Sequence, residues 1–215
     1  MSNILVFGTS TTYGSWDSEG GWVQRLRKYI DKKIIESDYK IDYLIYNLGI
    51  SGDKSTSILK RFKEETEARL DKYGGENIIL FHLGVNDSIY NNKQGGLEIL
   101  PENFRKNFNQ LITLAKNYSS KIVIVGSMPV DARVDPMPWS NERSYKNKYV
   151  SQFNEIMEEI AKQTNVFFIE IFKKFIEKDY SKLLADGVHM NDLGHKLFFE
   201  DVLTYLIDKK IIKVS

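Results

Sequence analysis

Alternation between two kinds of apolar segment constrains this chain more than any other feature. Five short apolar runs, at residues 4–7, 43–46, 77–83, 121–126 and 166–171, are bounded by Gly, Asn, Ser or Pro. Such uninterrupted runs fit strands that are covered on both faces. Between and after them lie five segments with helical spacing, at 22–35, 55–73, 101–118, 145–163 and 192–209. In the first, Val23, Leu26, Ile30 and Ile34 share one face, and in the third Phe104, Phe108, Leu111, Leu114 and Ala115 do so. Pro101 suits the first turn of its helix, where the N–H it lacks would be unpaired anyway. The strand and helix order predicts an α/β fold, a central parallel sheet of five strands with helices on both faces. Binding sites in such sheets lie beyond the carboxyl ends of the strands.

The remaining bounds are broad. A chain of 215 residues buries roughly 70% of its unfolded surface, enough for one core, so residues 1–215 are expected to form one domain. No internal repeat, low-complexity tract or domain linker interrupts it. With 30 Lys and Arg against 29 Asp and Glu, the net charge of +1 gives no electrostatic case for nucleic acid or an acidic membrane. The absence of cysteine excludes disulfides, thiolate catalysis and thiolate-bound metals. The start "MSNILVFG" enters a strand without a basic segment or cleavage site, which makes the cytoplasm the default location. No apolar run approaches the roughly 20 residues that span a bilayer, and a mean hydropathy of −0.36 agrees with a soluble protein that needs no membrane. Oligomeric state cannot be read, because no coiled-coil repeat or other assembly signature is present.

Reactive or permissive residues cluster where the strands end. "FGTSTTYG" (7–14) follows the first run with an unbroken series of hydroxyl side chains from Thr9 to Tyr13. "NLGISGD" (47–53) follows the second, and "LGVND" (83–87) the third. The amide of Asn86 offers N–H donors without charge, suited to an oxyanion that exists only during reaction, although Asn-Asp also closes turns. Gly52 is either a backbone bend or a place where an amide N–H approaches a ligand. In "ADGVHMNDLGH" (185–195), Asp186 and His189 stand just before a helix for which Asn191 or Asp192 is a plausible N-cap. A neutral histidine can accept a serine proton, and a carboxylate on its other nitrogen fixes the tautomer and stabilises the imidazolium. His82 reads as a satisfied histidine inside a strand, and His195 as a packing or capping residue on the last helix. A metal site from Asp186, His189, Asp192 and His195 matches no ligand spacing known for helices, so no metal is expected. The irregular stretch 127–144, "SMPVDARVDPMPWSNERS", holds three of the four prolines. A loop that long either shapes a substrate pocket, with Met137 and Trp139 as its candidate lining, or is merely surface.

In order and spacing, "FGTSTTYG", "NLGISGD", "LGVND" and "DGVH" resemble the four sequence blocks of the SGNH hydrolases, also called GDSL esterases and lipases. The resemblance spans residues 7 to 189. It implies a flavodoxin-like three-layer α/β/α sandwich and a serine esterase without a cofactor. It further implies Ser10 as nucleophile, His189 as base, Asp186 as its orienting acid, and an oxyanion hole from the Ser10 N–H, Gly52 and Asn86. One departure stands out. The family's Gly-Asp-Ser-Leu reads Gly8-Thr9-Ser10-Thr11 here, so neutral Thr9 cannot supply a carboxylate's charge-assisted acceptor to the surrounding network.

The expected chemistry is hydrolysis of a carboxylic ester through an acyl-enzyme, the substrate being a small soluble or acetyl ester. A histidine base must be neutral, so activity is expected to fall below a macroscopic pKa within about a unit of 6.5. The main alternative is a flavin or nucleotide binder whose hydroxyl-rich 8–14 loop cradles phosphate. Against it, the helical pattern starts only near Trp22, no Walker or G-x-G-x-x-G motif is present, and Asn86, Asp186 and His189 go unused. A non-catalytic relative, with Thr9 marking decay of the site, is a third reading.

Overall fold

The computed structural model describes residues 2–70 and 74–214. Its main sheet consists of β1 (Ser2–Gly8), β2 (Tyr43–Gly49), β3 (Asn77–His82), β6 (Lys121–Val125) and β8 (Phe167–Ile169), in the order β2-β1-β3-β6-β8. All four pairings are parallel. The order reverses between β1 and β3, so a crevice for ligands opens at the carboxyl ends of those strands.

Side-chain alternation along the strands builds two apolar layers. Ile4, Val6, Ile78, Leu80, Val123 and Val125 face α2 (Gly21–Glu36) and α7 (Asp192–Asp208), which supply Trp22, Leu26, Ile30, Phe198, Val202 and Leu206. Leu5, Phe7, Ile79, Phe81, Ile122 and Ile124 face the other way, onto α3 (Ser55–Glu67), α4 (Pro101–Ala115) and α5 (Asn147–Thr164). Both faces being covered explains why the strands read as unbroken apolar runs. Helices, sheet and helices make the three-layer sandwich that the motifs implied.

Several expectations shift in detail. The helix expected over 55–73 ends at Glu67, and residues 71–73 lie outside those described. The last strand shortens from 166–171 to three residues. Beside the crevice lies a second, antiparallel sheet of β4 (Tyr90–Asn91), β5 (Gly96–Leu97) and β7 (Arg143–Ser144), in the order β5-β4-β7. Strands of two residues each leave no period to detect. The expectation that helix starts only near Trp22 is also overturned, since the one-turn helix α1 (Ser10–Tyr13) begins at the hydroxyl-rich loop itself. A short helix α6 (Phe172–Ile176) precedes the segment that leads into α7.

Two buried titratable groups make this fold acid-sensitive in opposing directions. His82, the last residue of β3, lies with Trp22 and Phe198 against its ring, and burial with the neighbouring His195 pushes its pKa down to about 3. Asp87 accepts the Ser55 N–H at 3.0 Å and the Ser55 hydroxyl at 2.6 Å at the start of α3. Burial still pushes its carboxyl up to about 6, the Ser55 hydrogen bonds opposing that rise. Below about pH 6.5 the unfolded chain takes up a proton at His82 that the folded chain refuses, so the stability from this group is full above that pH and lost towards about 3. Asp87 acts the other way between about 6 and its unfolded value, because there the folded state takes the proton first. From pH 7 to 5, His82 removes about 2 kcal/mol and Asp87 returns about 1. Denaturant unfolding should therefore show a net loss over that interval, and Asp87→Asn should steepen it. A stability that is flat or rises towards pH 5 in the parent protein would contradict a neutral, buried His82.

Candidate active site

Crowding at the end of β1 determines where Ser10 sits. A Cβ on Gly8 would stand 2.0 Å from the Thr12 hydroxyl oxygen and 2.5 Å from the His82 carbonyl oxygen, so β1 passes α1 with no room for a side chain. Gly49, at the end of β2, is pressed equally hard against α1, where a Cβ would meet the Tyr13 nitrogen at 2.3 Å. The turn is then tied down by side chains. Asn47 donates from Nδ2 to the Thr12 carbonyl at 2.8 Å, and the Thr12 hydroxyl lies 3.0 Å from His82 Nδ1. The buried Thr9 side chain reaches the Thr11 hydroxyl at 3.4 Å, a neutral contact where the resemblance assigns a carboxylate. Ser10 is thereby fixed as the first residue of α1, only 5% exposed. Its N–H belongs to the first turn, whose amides have no acceptor within the helix.

The second component arrives from the far end of the chain. Asn191 caps α7 by accepting the Gly194 N–H at 3.0 Å and donates to the Lys182 carbonyl at 2.8 Å, which anchors the turn that carries Asp186 and His189. His189 Nε2 lies 2.9 Å from Ser10 Oγ, and His189 Nδ1 lies 2.7 Å from Asp186 Oδ2. The other carboxylate oxygen accepts the backbone N–H groups of His189 and Val188 at 2.8 and 3.1 Å. Partial burial alone would raise the Asp186 pKa, but the hydrogen bonds from the His189 ring and these two amides outweigh it and hold the carboxyl well below the ordinary range. An ionised Asp186 can only accept, so the ring proton of His189 sits on Nδ1 and the Nε2 lone pair faces the serine hydroxyl. A proton can thus pass from Ser10 to His189 while Asp186 stabilises the resulting imidazolium.

Trp16 adds a contact that sequence reasoning missed. Its indole Nε1–H donates to Asp186 Oδ2 at 2.9 Å, and its ring meets the edge of His189 with centroids 5.8 Å apart. The residue is 62% exposed and holds a left-handed φ of 67°, a costly conformation for a bulky side chain. The segment "SWDSEGG" reads as a connector because its donors find their acceptor only across the fold. Asp17 in the same stretch accepts the Gly21 N–H at 2.9 Å and pairs with Arg25 at 2.7 Å, fixing the start of α2.

Asn86 and Gly52 come together in the loops after β3 and β2. Asn86 follows β3, is buried, and donates one amide N–H to the Asp53 carbonyl at 3.0 Å while its Oδ1 accepts the Tyr145 hydroxyl at 2.7 Å. That leaves one N–H of the amide uncommitted. Gly52 has a φ of 82°, which glycine adopts freely, and no atom lies within 4 Å of where a Cβ would project. Both residues line a cavity of about 380 Å³ that also takes in Met137, Trp139 and Tyr145. The 127–144 loop therefore shapes a pocket, with Met137 buried and Trp139 56% exposed. Lys54 and Arg143 stand at the same wall, each 2.6 Å from an oxygen of Glu98.

The other histidines are used elsewhere. His195 accepts the Trp22 N–H on Nδ1 at 3.2 Å and donates from Nε2 to the Ser15 carbonyl at 3.2 Å, joining α7 to the segment before α2. Asp192 accepts the Ser18 N–H and hydroxyl at 2.9 and 2.6 Å. Among the described residues no group of three or more His, Asp or Glu side chains is placed to hold a metal ion. The hydroxyls of Ser10 and Thr12 are likewise engaged with His189 and His82, although α1 does start at the loop a phosphate would use.

Comparison with known proteins agrees with this layout. The model of the GDSL-like Lipase/Acylhydrolase family matches residues 6–197. Among relatives, the isoamyl acetate-hydrolyzing esterase of Saccharomyces cerevisiae is 27% identical over 140 residues, which cover 59% of this chain and 56% of that protein. This chain thus matches little more than half the length of the yeast enzyme. A lipase/acylhydrolase from Enterococcus faecalis superposes with a TM-score of 0.75 at 21% identity, covering 100% of this chain and 99% of that one. The acetyl xylan esterase AlAXEase gives a TM-score of 0.72 at 17% identity, covering 95% and 99%. At these identities the two structures show a shared fold.

The crowding at Gly49 yields a test that needs no substrate. Gly49→Ala places a methyl group 2.3 Å from backbone that cannot yield without moving α1. Overpacking of this kind costs about 1–3 kcal/mol. A denaturation midpoint equal to that of the parent protein would show that the contact between β2 and α1 is looser than the structure has it.

Proposed function

The chain belongs to the GDSL-like lipase/acylhydrolase family, a family of ester hydrolases, and we propose that it cleaves carboxylic esters through an acyl-enzyme on Ser10. The observation that carries this reading is the continuous hydrogen-bonded series from Ser10 through His189 to Asp186, drawn from opposite ends of the chain. His189 takes the Ser10 proton as Oγ adds to the substrate carbonyl, and Asp186 stabilises the imidazolium. The carbonyl oxygen, now negative, is held by the N–H of Ser10, the N–H of Gly52 and the free N–H of Asn86. His189 then hands its proton to the leaving alcohol. In the second half a water, deprotonated by His189, releases the acyl group and restores the serine.

The cavity beside Asn86 supports a small substrate. Its volume of about 380 Å³ and the apolar lining from Ile89 and Met137 suit a short acyl group or a compact alcohol, with Trp139 as an open wall. Two of the similar proteins carry acetate or acetyl esters in their names, which favours an acetyl ester. Residues 1–215 act here as one domain, since both apolar layers share one sheet and the family model spans most of the chain. No helix among the described residues is long and apolar enough to cross a membrane. A cytoplasmic location and the absence of a nucleic-acid partner remain part of the proposal, supported by the cysteine-free composition and the balanced charge.

A fluorophosphonate should add once to the folded protein, at Ser10, and not to Ser10→Ala, as read by intact mass. Asn86→Ala should keep the fold and lower kcat about a hundred- to a thousandfold on an acetyl ester, the usual effect of removing one oxyanion donor. A labelled serine elsewhere, or a loss below about threefold in Asn86→Ala, would remove Ser10 or Asn86 from the mechanism.

A further inference from the structure

The oxyanion donor Asn86 is held by a side chain that none of the four motifs contains. Tyr145 directly follows β7 and is pinned by its N–H to the Val134 carbonyl at 2.9 Å. Its ring is buried in a small apolar cluster with Val85, Val134, Met137, Val150 and Val188, apart from the two layers that cover the sheet. The hydroxyl emerges from that cluster at one point and meets Asn86 Oδ1 at 2.7 Å.

Donor and acceptor roles in this contact are determined. The Asp53 carbonyl can only accept, so the Asn86 edge that faces it at 3.0 Å is the NH2 group, and the oxygen faces Tyr145. Burial pushes the Tyr145 pKa well above the ordinary phenol value, so the hydroxyl keeps its proton and donates it to that oxygen. Asn86 is therefore clamped at both ends of its amide plane, and its single free N–H has one direction. A hydrogen bond accepted at the amide oxygen also draws charge from the nitrogen, which strengthens the remaining N–H as a donor.

We propose that Tyr145 is a positioning residue for the oxyanion hole, acting on the reaction only through its hydrogen bond to the Asn86 side chain. The proposal rests on the reading of Asn86 as an oxyanion donor and adds a residue from the second sheet to it. The role of the short antiparallel sheet follows: β7 pairs with β4, and the next residue, Tyr145, reaches Asn86 in the loop after β3. An interaction that tightens where charge develops in the transition state raises kcat and leaves ground-state binding nearly unchanged.

The test is a double-mutant cycle on an acetyl ester with the parent protein, Tyr145→Phe, Asn86→Ala and the double variant, each checked for fold by thermal melting and near-UV circular dichroism. Tyr145→Phe keeps the ring and its packing and should lower kcat about tenfold with KM within twofold. In the Asn86→Ala background the same substitution should change kcat less than twofold. Losses that multiply in the double variant would overturn the proposal, since Tyr145 would then act independently of Asn86. A change confined to KM would overturn it as well. Should Tyr145→Phe be too unstable to assay, Tyr145→Trp, with its N–H as an alternative donor, should retain more kcat than Tyr145→Leu, and equal losses in those two would count against a hydrogen-bonding role. End-point titration with the fluorophosphonate separates this failure from a wider one. A parent protein that is not labelled at Ser10 defeats the esterase reading, whereas full labelling with independent losses defeats the role of Tyr145 alone.

Discussion

Steric closeness between backbones is the constraint on which the site depends. β1 and β2 both end in glycine, and both glycines are pressed against α1 at distances no Cβ could occupy. Because the strands run parallel and in register from Ser2↔Tyr43 to Gly8↔Gly49, the two contacts fall at the same height on the sheet. The turn between them has little freedom left, so close packing of the glycines against main chain and the Thr12 side chain sets Ser10. The His189 ring, brought to Ser10 from the far end of the chain, meets a position that the sheet has already fixed. On the proposed reading of Ser10 as nucleophile, part of the entropy of orienting it is met on folding, by the same burial that forms the two apolar layers.

Much of this could be read from the sequence, and what could not has a physical reason. The three central strands β1, β3 and β6 announce themselves because helices cover both of their faces, which forces unbroken apolar runs. Ser10 and Asp186, singled out from short blocks at opposite ends of the chain, each lie within hydrogen-bond distance of His189, and Gly52, Asn86, Met137 and Trp139 line one cavity. The misses are of another kind. Trp16 stands six residues after Ser10, yet its partner Asp186 lies 170 residues away in the chain, and no local period encodes such a pairing. Tyr145 was placed at the start of a helical segment, whereas it follows a strand whose partner lies more than fifty residues earlier. Both side chains act by a single long-range hydrogen bond, an interaction that leaves no trace in composition or spacing.

The three histidines show how one residue type is put to different uses by its surroundings. His189 is held between a carboxylate and a hydroxyl, the arrangement on which the proposed proton transfer rests. His82 is buried against aromatic rings and kept neutral, and its nitrogen helps hold the Ser10 turn through Thr12. His195 joins α7 to the start of α2, with burial again lowering its pKa. The two structural histidines thus support the elements on which the third depends.

Glu98 receives Lys54 from the start of α3 and Arg143 from β7, so three chain segments that are distant in sequence meet in one ionic knot at the cavity wall. None of the three residues belongs to the main sheet or touches Ser10 in these contacts. Replacing Lys54 or Arg143 with a neutral residue would take the formal charge of the knot from one net positive to zero. The wall is in this sense a separable module: its charge is set by side chains outside the main sheet, while the closely packed part of the molecule sets the position of Ser10.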